Sequence, residues 1–339
     1  MADPTSAVPP AARSAGRGVA LPSWLRSAGP LQSAVGVLLA LSLYNALFTN
    51  HFLAWSTLRV NLTQVSTVVI VGVGMTLVIA TGGIDLSVGS LMAIAGALAP
   101  IIFLSERWPF SIVWVGLALA IVIPVLVAGA FGLFNGMLVT VFKIQPIIAT
   151  LVLYLCGRGV AQVITNGKLR EFHNGKFEYI GRGRPFGIPA QVILMLVIVA
   201  LATWVMRSTT FGRQVLAVGG NESAARLAGV PVNRVKFIAY GASGLLAGLA
   251  GLIVIAINSS SDPNLVGVNM ELDAIAAAAV GGTALAGGRA TIVGTLIGAL
   301  IIQQLRYTLL SHGVSDATTR MVTAAAIVAA VLLQRQRSS

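Results

Sequence analysis

The stretch Thr81-Gly82-Gly83-Ile84-Asp85-Leu86-Ser87-Val88-Gly89-Ser90 sets one carboxylate between two long apolar runs, and Asp85 is the sole charge between Arg59 and Glu106. A charge in that setting is costly unless it is paired, hydrated or protonated, and intramembrane carboxylates commonly serve substrate or ion pathways. Gly82 and Gly83 disfavour an unbroken helix and permit a turn. Ser87 and Ser90 have the side chains that cap a following helix. Two readings stay open. One is a helix break on a translocation path, with Gly82, Gly83, Asp85 and Ser87 along it. The other is a short hydrated turn whose Asp85 merely opens the next helix.

A second candidate is Glu271-Leu272-Asp273-Ala274-Ile275, followed by an alanine run to Gly281-Gly282 and then Gly287-Gly288-Arg289. Small residues let helices approach closely in a membrane, so plain tight packing is one reading. In the other, Glu271 and Asp273 are first-turn acids at an outer vestibule, on the substrate path.

The third candidate is a docking element in the loop 207–236, within Gly220-Asn221-Glu222-Ser223-Ala224-Ala225-Arg226-Leu227-Ala228-Gly229. Asn221 is a good N-cap and Glu222 suits a first turn. Ala224, Ala225, Leu227 and Ala228 favour helix. Gly229 supplies the C′ stop, with Pro231 just beyond. The signals predict a helix of about two turns, too short to stand alone in water. It packs either on its own membrane domain or in a partner's groove; docking would bury the small face made by Ala224, Ala225 and Ala228.

Enzyme chemistry finds no support. There is no G-x-x-x-x-G-K-[ST], no H-E-x-x-H and no G-x-S-x-G. His51, His173 and His312 lie far apart, and Cys156 is the single cysteine, so no disulfide within the chain and no Cys/His metal cluster is expected. The expectation is no catalytic residue, no metal and no cofactor on this chain.

The elements that hold these segments are apolar. Hydrophobic residues make up 56% of 339 and charged residues 9%, against about a quarter charged in a soluble domain. Apolar segments run at 31–49, 60–80, 86–104, 111–141, 144–165, 188–206, 237–257, 272–288, 291–310 and 318–333. The fold expected is an all-α polytopic membrane protein of about ten transmembrane or partly spanning helices, with Pro124 a candidate kink in the fourth. Residues 1–30 read as a disordered cytoplasmic tail and 31–335 as the membrane domain. The net charge of +12 reports orientation here rather than nucleic-acid binding, because the basic residues are scattered and form no basic face. With the N-terminus inside and every segment crossing once, twelve Lys and Arg fall inside and eight outside. Both tails are then cytoplasmic and the loop 166–187, with its five basic residues, is outside. Gly82-Gly83-x-x-Leu86-x-x-Gly89 also echoes Gly281-Gly282-x-x-Leu285-x-x-Gly288; both copies fall on the cytoplasmic side, which does not fit an inverted repeat, and chance is the alternative.

These segments resemble the permease subunits of bacterial ribose-type sugar ABC importers. The stretches that carry the likeness are TGGIDLSVGS at 81–90, FGRQVLAVGGNESAARLAGVPVNRVK at 211–236 and ELDAIAAAAVGGTALAGGRATIVGTLIGAL at 271–300. IQPIIATL at 144–151 and GRGVAQVIT at 157–165 extend it across roughly residues 35–335. CGRGVAQVIT and the ending VLLQRQR are most like the galactofuranose-type permeases. The resemblance implies import of a monosaccharide, furanose or ribose-like, from periplasm to cytoplasm through the inner membrane. It implies ATP bound and hydrolysed on a separate cytoplasmic P-loop ATPase, a second permease (identical or similar), a periplasmic sugar-binding protein and a membrane-lipid setting. It makes Gly220 to Gly229 the coupling helix received by the ATPase. An ion-coupled secondary sugar transporter, with Asp85 as the cation or proton site, is the rival reading, and a channel the next.

Overall fold

The computed structural model describes residues 30–104 and 113–338, so the tail expected at 1–30 lies almost wholly outside the described residues. Every apolar segment predicted above contains a helix. In chain order these are α1 (Pro30–Phe48), α2 (Trp55–Ala80), α3 (Val88–Phe103), α4 (Val113–Thr140) and α5 (Pro146–Thr165). A short α6 (Gly175–Arg182) lies in the connection that follows, then come α7 (Ala190–Ser208), α8 (Thr210–Gly220) and α9 (Glu222–Leu227). The chain continues as α10 (Val232–Asn258), α11 (Met270–Val280), α12 (Ile292–Ser311) and α13 (Asp316–Ser338). Among the described residues seven helices are long and apolar enough to cross a membrane, namely α1, α2, α4, α5, α7, α10 and α12, and α3 is a shorter apolar helix. The chain is a multi-pass, all-α membrane protein.

One expectation is corrected. The segment expected at 272–288 is helical only to Val280, because Gly282 turns the chain at φ 93° and residues 281–291 form a loop. Pro124 lies inside α4 without dividing it.

The centre of the bundle is α10, which packs against α2, α3 and α4. Small residues set these crossings: Gly132 on α4 faces Gly244 on α10, and a Cβ on Gly132 would lie 2.5 Å from the Tyr240 carbonyl oxygen. Backbones that close maximise dispersion contact where no hydrophobic effect drives helices together.

The loops gather at two ends. At one end 81–87, 209–231 and 281–291 meet, with the Gly288 N–H donating to the Ala80 carbonyl at 3.1 Å. At the other, β1 (Arg170–Glu171) pairs antiparallel with β2 (Ser260–Ser261), and Phe103, Phe172 and Phe177 cluster with ring centroids 4.7–5.7 Å apart. The sequence echo has a structural counterpart shifted by one residue. Gly82 matches Gly282 rather than Gly281: both have positive φ, and both close the preceding helix with the same pair of bonds. Gly83 N–H reaches the Val78 carbonyl at 3.2 Å, and Thr283 N–H the Ala278 carbonyl at 3.0 Å.

Candidate functional site

Gly82 ends α2 and turns the chain back toward the middle of the bundle, which is what carries Asp85 inward. Asp85 is 0% exposed. Its carboxylate accepts hydrogen bonds from the Ser87 N–H at 3.0 Å, the Ser87 hydroxyl at 2.6 Å and the Ser243 hydroxyl at 2.8 Å. Asn135 on α4 donates to the Ser87 oxygen at 2.8 Å. No salt bridge among the described residues includes Asp85. Ser243 lies well along α10, about 16 Å from the helix start at 1.5 Å per residue. The structure shows no solvent-exposed turn here: the carboxylate is buried and accepts three hydrogen bonds. The capping expectation is corrected too. Ser87 precedes α3 but makes no cap bond; its hydroxyl donates to Asp85 and its oxygen accepts from Asn135. The Ser90 hydroxyl goes to the carbonyls of Ser87 and, on α5, Leu153.

Next to this loop the Tyr240 hydroxyl and the Asn135 carbonyl oxygen are buried without a hydrogen-bond partner. A Cβ on Gly83 would sit 2.5 Å from that hydroxyl. Native structures leave few such groups unsatisfied, and those they leave often mark function.

The loop is joined to the docking candidate in 207–236 through backbone contacts. A Cβ on Gly219, at the end of α8, would run into the Ala80 carbonyl and lie 2.5 Å from the Gly288 nitrogen. A Cβ on Gly287 would lie 2.9 Å from both the Gly219 oxygen and the Gly82 nitrogen. The ends of α2 and α8 and the loop 281–291 thus touch main chain to main chain, three residues before Asp85.

Beyond Gly220 the chain forms α9 with the predicted caps. The Asn221 side chain accepts from the Ala224 N–H at 2.9 Å. Gly229 has φ 79°, and the Val230 N–H closes back on the Ala225 carbonyl at 3.0 Å. Glu222 pairs with Arg226 at 3.2 Å and Lys236 at 2.6 Å, and the Lys236 hydrogen bond, more than burial opposes, holds its carboxyl below the ordinary value of 4.5. The predicted small face is divided. Ala225 is buried within the chain at 6% exposure and anchors α9, whereas Ala224 and Ala228 are exposed. The apolar group left outward is Leu227, 90% exposed.

The two acids of α11 part company. Glu271 is buried against α3, where a Cβ on Gly89 would lie 2.6 Å from its Oε2, an atom without a hydrogen-bond partner. Asp273 is held by both terminal nitrogens of Arg306, one at 3.0 Å. Arg306, and Arg158 with its bonds to the carbonyls of Pro263 (2.9 Å) and Val266 (2.6 Å), escaped the sequence reading. Their signal was available: each is a cation inside an apolar segment.

The sequence profile of the family described as "Branched-chain amino acid transport system / permease component" matches residues 58–331. The chain belongs to that permease family. It is 42% identical over 312 residues to the ribose import permease of Escherichia coli K12, covering 90% of this chain and 94% of that one. It is 40% identical over 278 residues to the galactofuranose transporter permease of the same strain, covering 81% and 79%. With the fructose import permease of Bifidobacterium longum it shares 37% over 268 residues, 78% and 73% of the two chains. No solved structure matches. As a member of this permease family the chain is a transport component, not an enzyme.

Proposed function

We propose that this permease is the membrane-spanning subunit of an ATP-driven importer carrying a monosaccharide, ribose-like or furanose, from periplasm to cytoplasm. The observation that carries the reading is the 42% identity to a ribose import permease over nine-tenths of the chain. ATP is bound and hydrolysed on a separate P-loop ATPase, which receives α9. A second permease copy or homologue and a periplasmic sugar-binding protein complete the importer in the bacterial inner membrane. Both termini and the end formed by 81–87, 209–231 and 281–291 face the cytoplasm; the distribution of Lys and Arg supports this. Gly82, Gly83, Asp85 and Ser87 form a polar step on the substrate path. Glu271 and Asp273 shape its outer side.

The test is uptake of radiolabelled D-ribose, D-fructose and D-galactose into vesicles holding the permease, its ATPase and its binding protein. Accumulation is expected only with all three components and ATP. Accumulation without the ATPase, driven by an ion gradient, would establish an ion-coupled transporter instead. Orientation is checked by labelling a cysteine at position 175, in the loop 166–187, where reaction from the cytoplasmic side alone would reverse the topology.

A further inference from the structure

A cavity of about 510 Å³ opens between the outer parts of α2, α10, α11 and α12, and none of the residues singled out from the sequence lines it. Its lining includes Asn61, Gln64, Asn258, Gln303, Arg306 and Tyr307. These come from the early part of α2, the end of α10 and the later part of α12, so the cavity lies toward the end opposite α9. Its size is in the range of small-molecule sites, roughly 300–1,000 Å³.

The lining is largely aliphatic, from Val60, Val68, Val254, Ile257 and Leu310, with a set of amides among these side chains and one paired cation. Both terminal nitrogens of Arg306 are spent on Asp273, so the cation arrives neutralised. An anionic ligand would have to displace a fixed, two-pronged carboxylate. The Gln303 amide nitrogen donates to Asn61 at 3.1 Å and to Gln64 at 2.6 Å. This fixes the three amides relative to one another and leaves the Gln303 oxygen as acceptor and the Gln64 nitrogen as donor, neither bonded to another described residue. Tyr307, its ring held against Phe52 at 5.9 Å, adds an apolar face with a hydroxyl at its tip. Neighbouring hydroxyl groups that each donate and accept, on a neutral compact body, are the ligand chemistry that answers this wall.

We propose that this cavity is a binding site for a neutral polyhydroxylated monosaccharide, where the sugar first rests in the permease before reaching the level of Asp85. The site deepens the importer reading above and rests on it. Gln303 and Gln64 are its hydrogen-bonding residues, and the Asp273–Arg306 pair is the device that keeps it neutral.

The experiment uses the complete importer in vesicles with one unchanged binding protein. The probe is whichever of D-ribose, D-fructose or D-galactose the wild type carries, together with a deoxy analogue of that sugar. Gln303→Ala and Gln64→Ala are each expected to lower maximal uptake about tenfold, the order of one lost hydrogen bond with its partner left bare. They are also expected to shrink the preference for the parent sugar over its deoxy analogue, which a packing defect would not do. Gln64 is exposed, so its truncation leaves the bundle intact, and Gln303→Asn, which keeps the amide, should recover part of the preference. If both alanine variants assemble with the ATPase and keep wild-type uptake and wild-type preference, the cavity is not a sugar site. Uptake that proceeds without the ATPase would refute the importer reading instead.

Discussion

Replacing Leu227 by alanine tests the coupling segment without disturbing the fold. The side chain is 90% exposed in the permease, so truncating it removes almost no internal contact. Leucine and alanine are both good helix formers, and α9 stays pinned by the Asn221 cap at one end and the Gly229 turn at the other. If an ATPase groove covers this residue, docking removes nearly the whole side chain from water. Burying a leucine is worth about 1.5–3 kcal/mol, and the three carbons lost account for about 2 kcal/mol. That corresponds to roughly thirtyfold in Kd. Titration of the detergent-solubilised permease with its ATPase should show this loss, with thermal unfolding of the permease unchanged. Ala225→Glu should behave differently: it drives a carboxylate into space already closed within the chain, at a cost of a few kcal/mol, and disorders α9 itself. If Leu227→Ala binds the ATPase with wild-type affinity and supports normal uptake, α9 is not docked through its apolar tip and the assignment fails.

Asp85→Asn keeps the shape of the buried knot, since Asn can still accept from Ser87 and can donate to Ser243, and isolates the charge. Uptake should fall about tenfold or more in a folded, assembled importer (tenfold being about 1.4 kcal/mol), and wild-type uptake would make the carboxylate a packing group. Gly219→Val places a branched side chain against the Ala80 carbonyl and the Gly288 amide, so overpacking of about 1–3 kcal/mol is expected. ATPase co-purification should survive while uptake falls, because the junction joining α8 to the Asp85 loop is spread; undiminished uptake would remove that junction from the coupling route. Glu222 has a lowered folded pKa through its bond from Lys236, so its contribution is present above the ordinary value of 4.5 and is lost as pH falls through the lower folded value. Hydrogen exchange across 222–228 should be unchanged between pH 8 and 6 and quicken, relative to the intrinsic rate, only in acid below that ordinary value; Glu222→Gln should abolish this acid step, and an acid step that persists in Glu222→Gln would refute the assignment.

Much of this protein is written locally in its sequence. Few charges and long apolar runs determine a membrane protein, because a chain that poor in charge must satisfy its backbone inside helices once it leaves water. The caps of α9 were legible in the same way, since Asn221 and Gly229 act on groups three to five residues away, and so was the turn at Gly82-Gly83. What the sequence left open turned on partners far along the chain. Asp85 is buried where Ser243, 158 residues later, donates to it; nothing near Asp85 distinguishes that from a hydrated turn. The Ser87 side chain is likewise drawn from its local role by a distant partner: its hydroxyl donates to Asp85, and its oxygen accepts from Asn135, 48 residues later. Ala225 and Leu227 are both apolar and two positions apart, and the seating of α9 decides that the smaller is covered and the larger exposed. The Gly219–Ala80–Gly288 junction and the Asp273–Arg306 pair likewise bring together elements that no local pattern connects. Local backbone chemistry fixes where helices begin and end, whereas the burial, charge pairing and close approach that make a site arise only when the bundle has packed.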